Sequence, residues 1–525
     1  MSNNPKPYIT ATKTLSIREK VGQLFMPAAF INDTEEEILE LENLIATKHV
    51  GGLCFFHSRA SAATNFEGKK KIKYNEQSLN TLKNLIQRYQ KAAKYPLLIS
   101  IDAEWGLAMR IENTPQYPYA ITLGAIANRD ELIFKVGQQI AQDCREAGIH
   151  WNLAPVVDVN NNPKNPVIGY RSFGEDKTNV TQKSIAFIKG TASEGVFSCI
   201  KHFPGHGDTA TDSHLGLPLI KKSKETLLEN ELYPFREIIK SGVDSVMVGH
   251  LSVPSLDNGK GTPATISKPI IKGLLRKELN FNGVVISDAL NMHSVSKMFP
   301  IKGELEWRAF DAGNDILCFA EHIHQGIESI LGKANPQEIE ERFKRVWELK
   351  ERAFNNTQKP GPKQLTDKLN QQLAVESLTL VHGSKQILDN FRNQGFTTLV
   401  FGTSPDRSFE EQLSLLANKG KKNEENVLIT LYPPKVKPQN NFDIKKEDLK
   451  ELDSLLRTKN VILYVFGNPY VLHHLPYHLA QCLVLGYQNF KAFQEVAISH
   501  FMGQLEAKGK LPVSIGPIKD QNYEG

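Results

Sequence analysis

Eight short apolar runs, separated by amphipathic stretches, restrict this chain more than any other feature of its sequence. They read LFMPAA (24–29), GGLCFF (51–56), PLLISID (96–102), GIHWNLAPVVDV (148–159), VFSCIKHF (196–203), DSVMVGH (244–250), GVVISD (283–288) and DILCFA (315–320). Runs that are apolar at nearly every position must be buried on both faces, which is the condition of strands in a parallel sheet covered by helices. The intervening segments, EEEILELENLIATK, SLNTLKNLIQRYQKAAK, ELIFKVGQQIAQDCREA and KSIAFIKGTASE among them, carry apolar residues at helical spacing. Strand and helix alternate eight times, so the expected fold is α/β, a closed (β/α)8 TIM-type barrel rather than an open doubly wound sheet.

A change of texture at NNTQKPGPKQ (355–364) reads as a linker, because proline, glycine and polar residues replace the periodic pattern. Beyond it ESLTLVHG, FTTLVFGT, ENVLITLYP, KNVILYVFGNP and CLVLGY alternate with helical stretches such as FEEQLSLLANK and EDLKELDSLLRT. The expected organisation is therefore a catalytic barrel over residues 1–355, a linker over 356–370 and a smaller three-layer αβα sandwich over 371–525. That second domain carries few paired ionisable residues and is expected to be structural; His473 and His474 are expected at a surface or helix end.

Composition narrows the function. A formal charge of +5 over 525 residues is spread in mixed-sign runs such as KKSKETLLENE, which points away from a nucleic-acid partner. The five cysteines are far apart and lack C-x-x-C spacing, so neither a disulfide framework nor a zinc knuckle is expected. No uninterrupted apolar stretch approaches ~18 residues, and MSNNPKPYIT has no apolar core, so the chain is expected to be soluble. A cytoplasmic location is expected if it starts at its native terminus, and a periplasmic or exported one if a signal peptide has been removed. The oligomeric state has no signature.

The ends of the apolar runs carry the chemistry. Barrel enzymes work at the mouth formed by the C-terminal ends of the strands, and five successive runs end in Asp102, Asp158, Lys201 with His202, His250 and Asp288. The segment KHFPGHGDTATDSH (201–214) adds two more histidines and two aspartates on a backbone that glycine and proline keep from being helical. Asp212 and His214 are two apart and share a face only if the chain is extended. In that geometry the Asp212 carboxylate fixes the tautomer of His214 and raises its pKa, which suits a general acid and base. Asp288 at the rim, opposite such a group, meets the requirement for double displacement at an anomeric carbon: one residue attacks while the other protonates the leaving oxygen and later activates water. Lys201, Arg171 and Arg110 are expected to keep Asp288 ionised. Asp102 supplies acceptors for sugar hydroxyls, and Trp105 or Trp151 is a candidate ring face for a sugar, with core packing the competing role.

Taken together, these residues resemble glycoside hydrolase family 3, in its β-N-acetylglucosaminidase branch. KHFPGHGDTATDSHLGLP is similar to the signature of that branch, supported by EKVGQLFM, IDAEWGLAMR, LAPVVDVN, RSFGED, VMVGH, VVISDAL and AGNDIL, and by GQLEAKGKLPVSI near the end of the chain. The resemblance implies Asp288 as nucleophile and Asp212 with His214 as the acid/base dyad. It implies Asp102, Arg110, Arg171, Lys201 and His202 as ligands of a terminal GlcNAc, with His250 and Met292 lining the site. The chain departs from the usual Gln-Glu-Gly-Gly after the third-strand aspartate, having Ala103-Glu104-Trp105-Gly106. The implied reaction is retaining hydrolysis of terminal β-linked GlcNAc from muropeptide or chitooligosaccharide fragments, with no cofactor and no metal. Competing readings are phosphate as the second-step acceptor, a metal-dependent hydrolase using His202, His206 and His214, and a non-catalytic amino-sugar-binding or scaffold barrel.

Overall fold

The computed structural model describes residues 4–59, 73–209, 216–419 and 422–516. The chain divides into two compact units, one formed by Met1–Tyr117, Ile133–Val159 and Val180–Lys363, the other by Pro118–Leu132, Asn160–Asn179 and Gln364–Gly525. Two segments from the first 355 residues thus group with the second unit.

The first unit is a closed parallel barrel. Its first stave is broken at Pro27, which has no amide to give a ladder, into β1 (Phe25–Met26) and β2 (Ala28–Phe30). The other strands are β3 (Gly52–Phe56), β4 (Leu98–Ile101), β5 (Trp151–Asn152), β6 (Phe197–Phe203), β7 (Ser245–Val248), β8 (Val284–Ser287) and β9 (Leu317–Cys318). β2 to β8 form one sheet in sequence order, every neighbouring pair parallel. β1 pairs with β9, and a parallel bridge between Ile286 and Ile316 ties β8 to the run entering β9, which closes the ring. Each of the eight apolar runs supplies one stave. The fourth run was expected to be strand for much of its length, yet only Trp151–Asn152 is regular, because Pro155 lacks the donor that continuation requires. Its register survives past that point in the Val156–Lys201 bridge.

Burial explains the apolar runs. All seven residues of β6 and all four each of β4, β7 and β8 are buried, one face toward the barrel axis and the other beneath helices. The helix Glu35–Lys48 starts with a reciprocal capping box between Thr34 and Glu37. Near the N-terminus, Ala11 and Leu15 pack with Phe343 and Trp347, and the Trp347 indole donates to Lys6 O at 2.8 Å.

In the second unit, β10 (Thr379–His382), β11 (Thr397–Gly402), β12 (Asn426–Tyr432), β13 (Asn460–Val465) and β14 (Cys482–Leu485) form a five-stranded sheet in the order β10-β14-β13-β12-β11. Only β10 runs antiparallel to its neighbour. Its core holds Val427, Ile429, Leu431, Val461, Leu463 and Val465 from the central strands, packed with Leu452 and Leu456 of the helix Lys446–Thr458. His473 and His474 end a short 3₁₀ turn, Pro469–His474. Among the described residues, no helix is long and apolar enough to cross a membrane.

Candidate active site

The parallel ladder sends the C-terminal ends of all staves to one rim, and the polar residues at the end of β6 and just past β4, β7 and β8 are drawn into two linked clusters there. Asp102, immediately after β4, accepts from Lys201 Nζ at 2.7 Å on Oδ1 and from Arg110 Nη2 at 2.9 Å on Oδ2. Lys201 is 2 % exposed, and its ammonium also lies 2.7 Å from Glu104 Oε1. Burial alone would push the Asp102 carboxyl up, but Lys201 and Arg110 outweigh it and hold the group well below the usual carboxylate range. Arg110 is further steadied over the Phe56 ring, 5.1 Å from its centroid.

The second cluster centres on Asp288. Its amide donates to Val248 O at 2.9 Å, and its Oδ1 accepts from the Ala289 amide at 2.8 Å, so the carboxylate is pinned at the end of β8 while remaining partly exposed. Burial pushes this carboxyl up as well. The imidazoles of His250 and His202, the Ala289 N–H and Lys201 together bring it below its ordinary value. Arg110, expected to act on Asp288, is engaged with Asp102 instead.

His250 is buried with both ring nitrogens engaged. Nε2 donates to Ala289 O at 2.9 Å and Nδ1 meets Thr265 Oγ1 at 2.6 Å, so the ring braces the turn that carries Asp288. Met292 is 5 % exposed in the same turn, its amide bonded to Ala289 O at 3.1 Å. His202 Nδ1 donates to Asp158 Oδ2 at 2.8 Å. His206 Nδ1 meets Thr209 Oγ1 at 2.8 Å, and its amide donates to Asp158 Oδ1 at 2.7 Å. Trp151 is excluded as a sugar platform. It is fully buried in β5 and its indole donates to Ser245 Oγ at 3.0 Å. Trp105 is half-buried in the turn after β4.

Arg171 ends the 3₁₀ turn Gly169–Arg171, within a segment that belongs to the second unit. The expected dyad, Asp212 and His214, lies outside the described residues. Glu104, Asp158 and Thr265 were not among the expected site residues. Asp158 did register as a polar strand end, but its partner is 44 positions away and no local pattern joins them.

Residues 16–349 match a family model, that of the glycosyl hydrolase family 3 N terminal domain. The chain belongs to glycosyl hydrolase family 3. Within that family it is similar to beta-hexosaminidase A of Pseudoalteromonas piscicida, 34% identical over 342 residues that cover 59% of this chain and 55% of that protein. A beta-hexosaminidase of Xylella fastidiosa strain M23 is 32% identical over 270 residues, 50% of this chain and 79% of that protein. The family 3 likeness extends beyond the barrel. A solved glycoside hydrolase family 3 beta-N-acetylglucosaminidase from Paenibacillus sp. str. FPU-7 aligns at a TM-score of 0.75 and 27% identity, over 96% of this chain and 99% of that one. The match spans about half the length of the Pseudoalteromonas protein.

Proposed function

We propose that this family 3 chain is a retaining exo-β-N-acetylglucosaminidase that releases terminal β-linked GlcNAc from muropeptide or chitooligosaccharide fragments. The observation that carries the reading is Asp288, a partly exposed carboxylate pinned by backbone at the end of β8, ionised at neutral pH and within the field of two imidazoles and a lysine. The relatives named beta-hexosaminidase and beta-N-acetylglucosaminidase support the choice of amino sugar.

In the proposed reaction, Asp288 attacks the anomeric carbon through Oδ2, because Oδ1 is tied to the Ala289 amide. His214, oriented by Asp212, gives its proton to the departing oxygen as the glycosidic bond breaks. A glycosyl ester on Asp288 results, and the aglycone leaves as a neutral alcohol. Water then enters, His214 removes its proton, and the ester breaks to return the Asp288 carboxylate and free the sugar with its original anomeric configuration. Asp102, kept anionic by Lys201 and Arg110, accepts from sugar hydroxyls while the two cations donate, so the terminal residue is held by acceptors and donors together.

Trapping tests this assignment. An activated fluoro-glycoside of GlcNAc should inactivate the protein and leave one glycosyl mass on the peptide containing Asp288. Inactivation with the label on another residue would refute the assignment. Turnover with inverted product would refute the double displacement.

A further inference from the structure

Glu104 belongs to the Ala103-Glu104-Trp105-Gly106 stretch, and the proposed reaction gives it no part. Its side chain is 6% exposed, and Oε1 lies 2.7 Å from Lys201 Nζ. Asp102 Oδ1 accepts from the same ammonium at 2.7 Å, so Lys201 stands between two acids that flank Ala103. That spacer is gripped by one buried side chain of β5. Asn152 Oδ1 accepts from the Ala103 amide at 3.0 Å, and Asn152 Nδ2 donates to Ala103 O at 3.1 Å. Past Glu104 the turn is fixed again, because the Tyr117 amide donates to Trp105 O at 3.0 Å. Gly106 sits at φ +100°, where a Cβ would come within 2.7 Å of Pro115 O, a place that only glycine tolerates. The two acids are therefore presented by a backbone held on both flanks.

Arg110 Nη2 donates to Asp102 Oδ2 at 2.9 Å, so the group joins two carboxylates to two cations and is neutral as a whole. Lys201 is 2% exposed. In so enclosed a place an ammonium facing Asp102 alone would be drawn onto it, and Asp102 would then serve Lys201 and Arg110 instead of a substrate. Glu104 pulls on the same ammonium from the other side of Ala103.

We infer that Glu104 is a positioning residue for the terminal sugar, acting through Lys201: by sharing the ammonium with Asp102 it fixes Nζ at the end of β6 and keeps lone pairs of Asp102 available to sugar hydroxyls. This inference rests on the glycosidase reading, in which Lys201 and Asp102 hold the terminal residue, and it gives Glu104 no contact of its own with the substrate.

A double-mutant cycle separates this role from a purely structural one. Glu104→Gln keeps the shape of the side chain and removes its charge. With an aryl GlcNAc glycoside it should lower kcat/KM about 10-fold, and on a Lys201→Met background it should lower it no further. Equal proportional losses on the two backgrounds would overturn the inference, and so would a folded Glu104→Gln variant with unchanged kcat/KM. Should Glu104→Gln not fold, a crystal structure of the unaltered protein with GlcNAc bound decides. Lys201 Nζ bonded to both carboxylates and to a sugar hydroxyl supports the inference. A sugar bonded to Glu104 itself, a sugar out of reach of Lys201, or Glu104 turned away from Lys201 refutes it. Aryl-glycoside turnover by the unaltered protein, measured alongside, keeps the two readings apart: its absence removes the glycosidase reading, whereas turnover with an additive cycle removes the role of Glu104 alone.

Discussion

Lys201 shows how much of the site rests on single side chains. It is buried between two carboxylates, and Arg110 is the other cation bonded to Asp102, so Lys201→Met would remove the cation that Asp102 and Glu104 share. Breaking such a cluster from one side costs about 3 kcal/mol, and in the proposed reaction, where Lys201 donates to the sugar, its loss should lower kcat/KM about 100-fold. The pH dependence follows from the sign of the shift. Because the folded protein depresses the Asp102 pKa, the stabilisation is present above the ordinary carboxylate pKa near ~4 and is lost as pH falls through the lower folded value. The stability gap between wild type and Lys201→Met in urea unfolding should therefore narrow between pH 7 and pH 3; an unchanged gap would mean that the ion pairs contribute nothing. Asp102 and Lys201 were legible in the sequence because they stand at the ends of apolar runs. What joins them was not: the bond from Lys201 to Asp102 spans 99 positions, and Glu104 stood out only as part of the Ala103-Glu104-Trp105-Gly106 departure.

Elements were the most readable level, since hydrophobic periodicity is a local property and, apart from Phe30 at the end of β2, every stave of the barrel and strand of the second sheet falls within an apolar run seen beforehand. Their limits were less so. β5 is short because proline interrupts the run, and Trp151, read as a candidate platform, is core because its strand is closed in on both faces. Helix ends offer a clean test at this scale. Thr34→Ala removes the side-chain acceptor for the Glu37 amide and one half of the capping box on Glu35–Lys48, which should cost about 1 kcal/mol in chemical denaturation. The helix lies on the outside of the barrel, so kcat and KM for an aryl glycoside should be unchanged; a loss of activity without a loss of stability would contradict the assignment of that end as a purely local stop.

At the scale of the molecule, burial sets chemistry that no sequence window shows. Lys350 is fully buried on the helix Pro336–Phe354, its ammonium bonded to Gln23 Oε1 and over the Trp347 ring at 5.1 Å from its centroid. Burial lowers its pKa to about 7. The unfolded chain has an ordinary lysine near ~10.4, so between these values unfolding takes up a proton and stability rises with pH. Lys350→Met should raise stability by about 1–2 kcal/mol at pH 7, and the advantage should shrink by pH 10; a pH-independent gain would show that the charge is not what it relieves. By itself the sequence determined the order and number of the strands, the alternation that makes a parallel barrel, and the titratable residues at its rim, because those depend on spacing along the chain. Only the tertiary structure decided which of these residues meet, that His250 braces a turn, that Asp158 holds His202, and that Lys350 titrates near neutrality. Those outcomes depend on closure of the ring and exclusion of water, which bring residues tens of positions apart into a medium where an unpaired charge is costly.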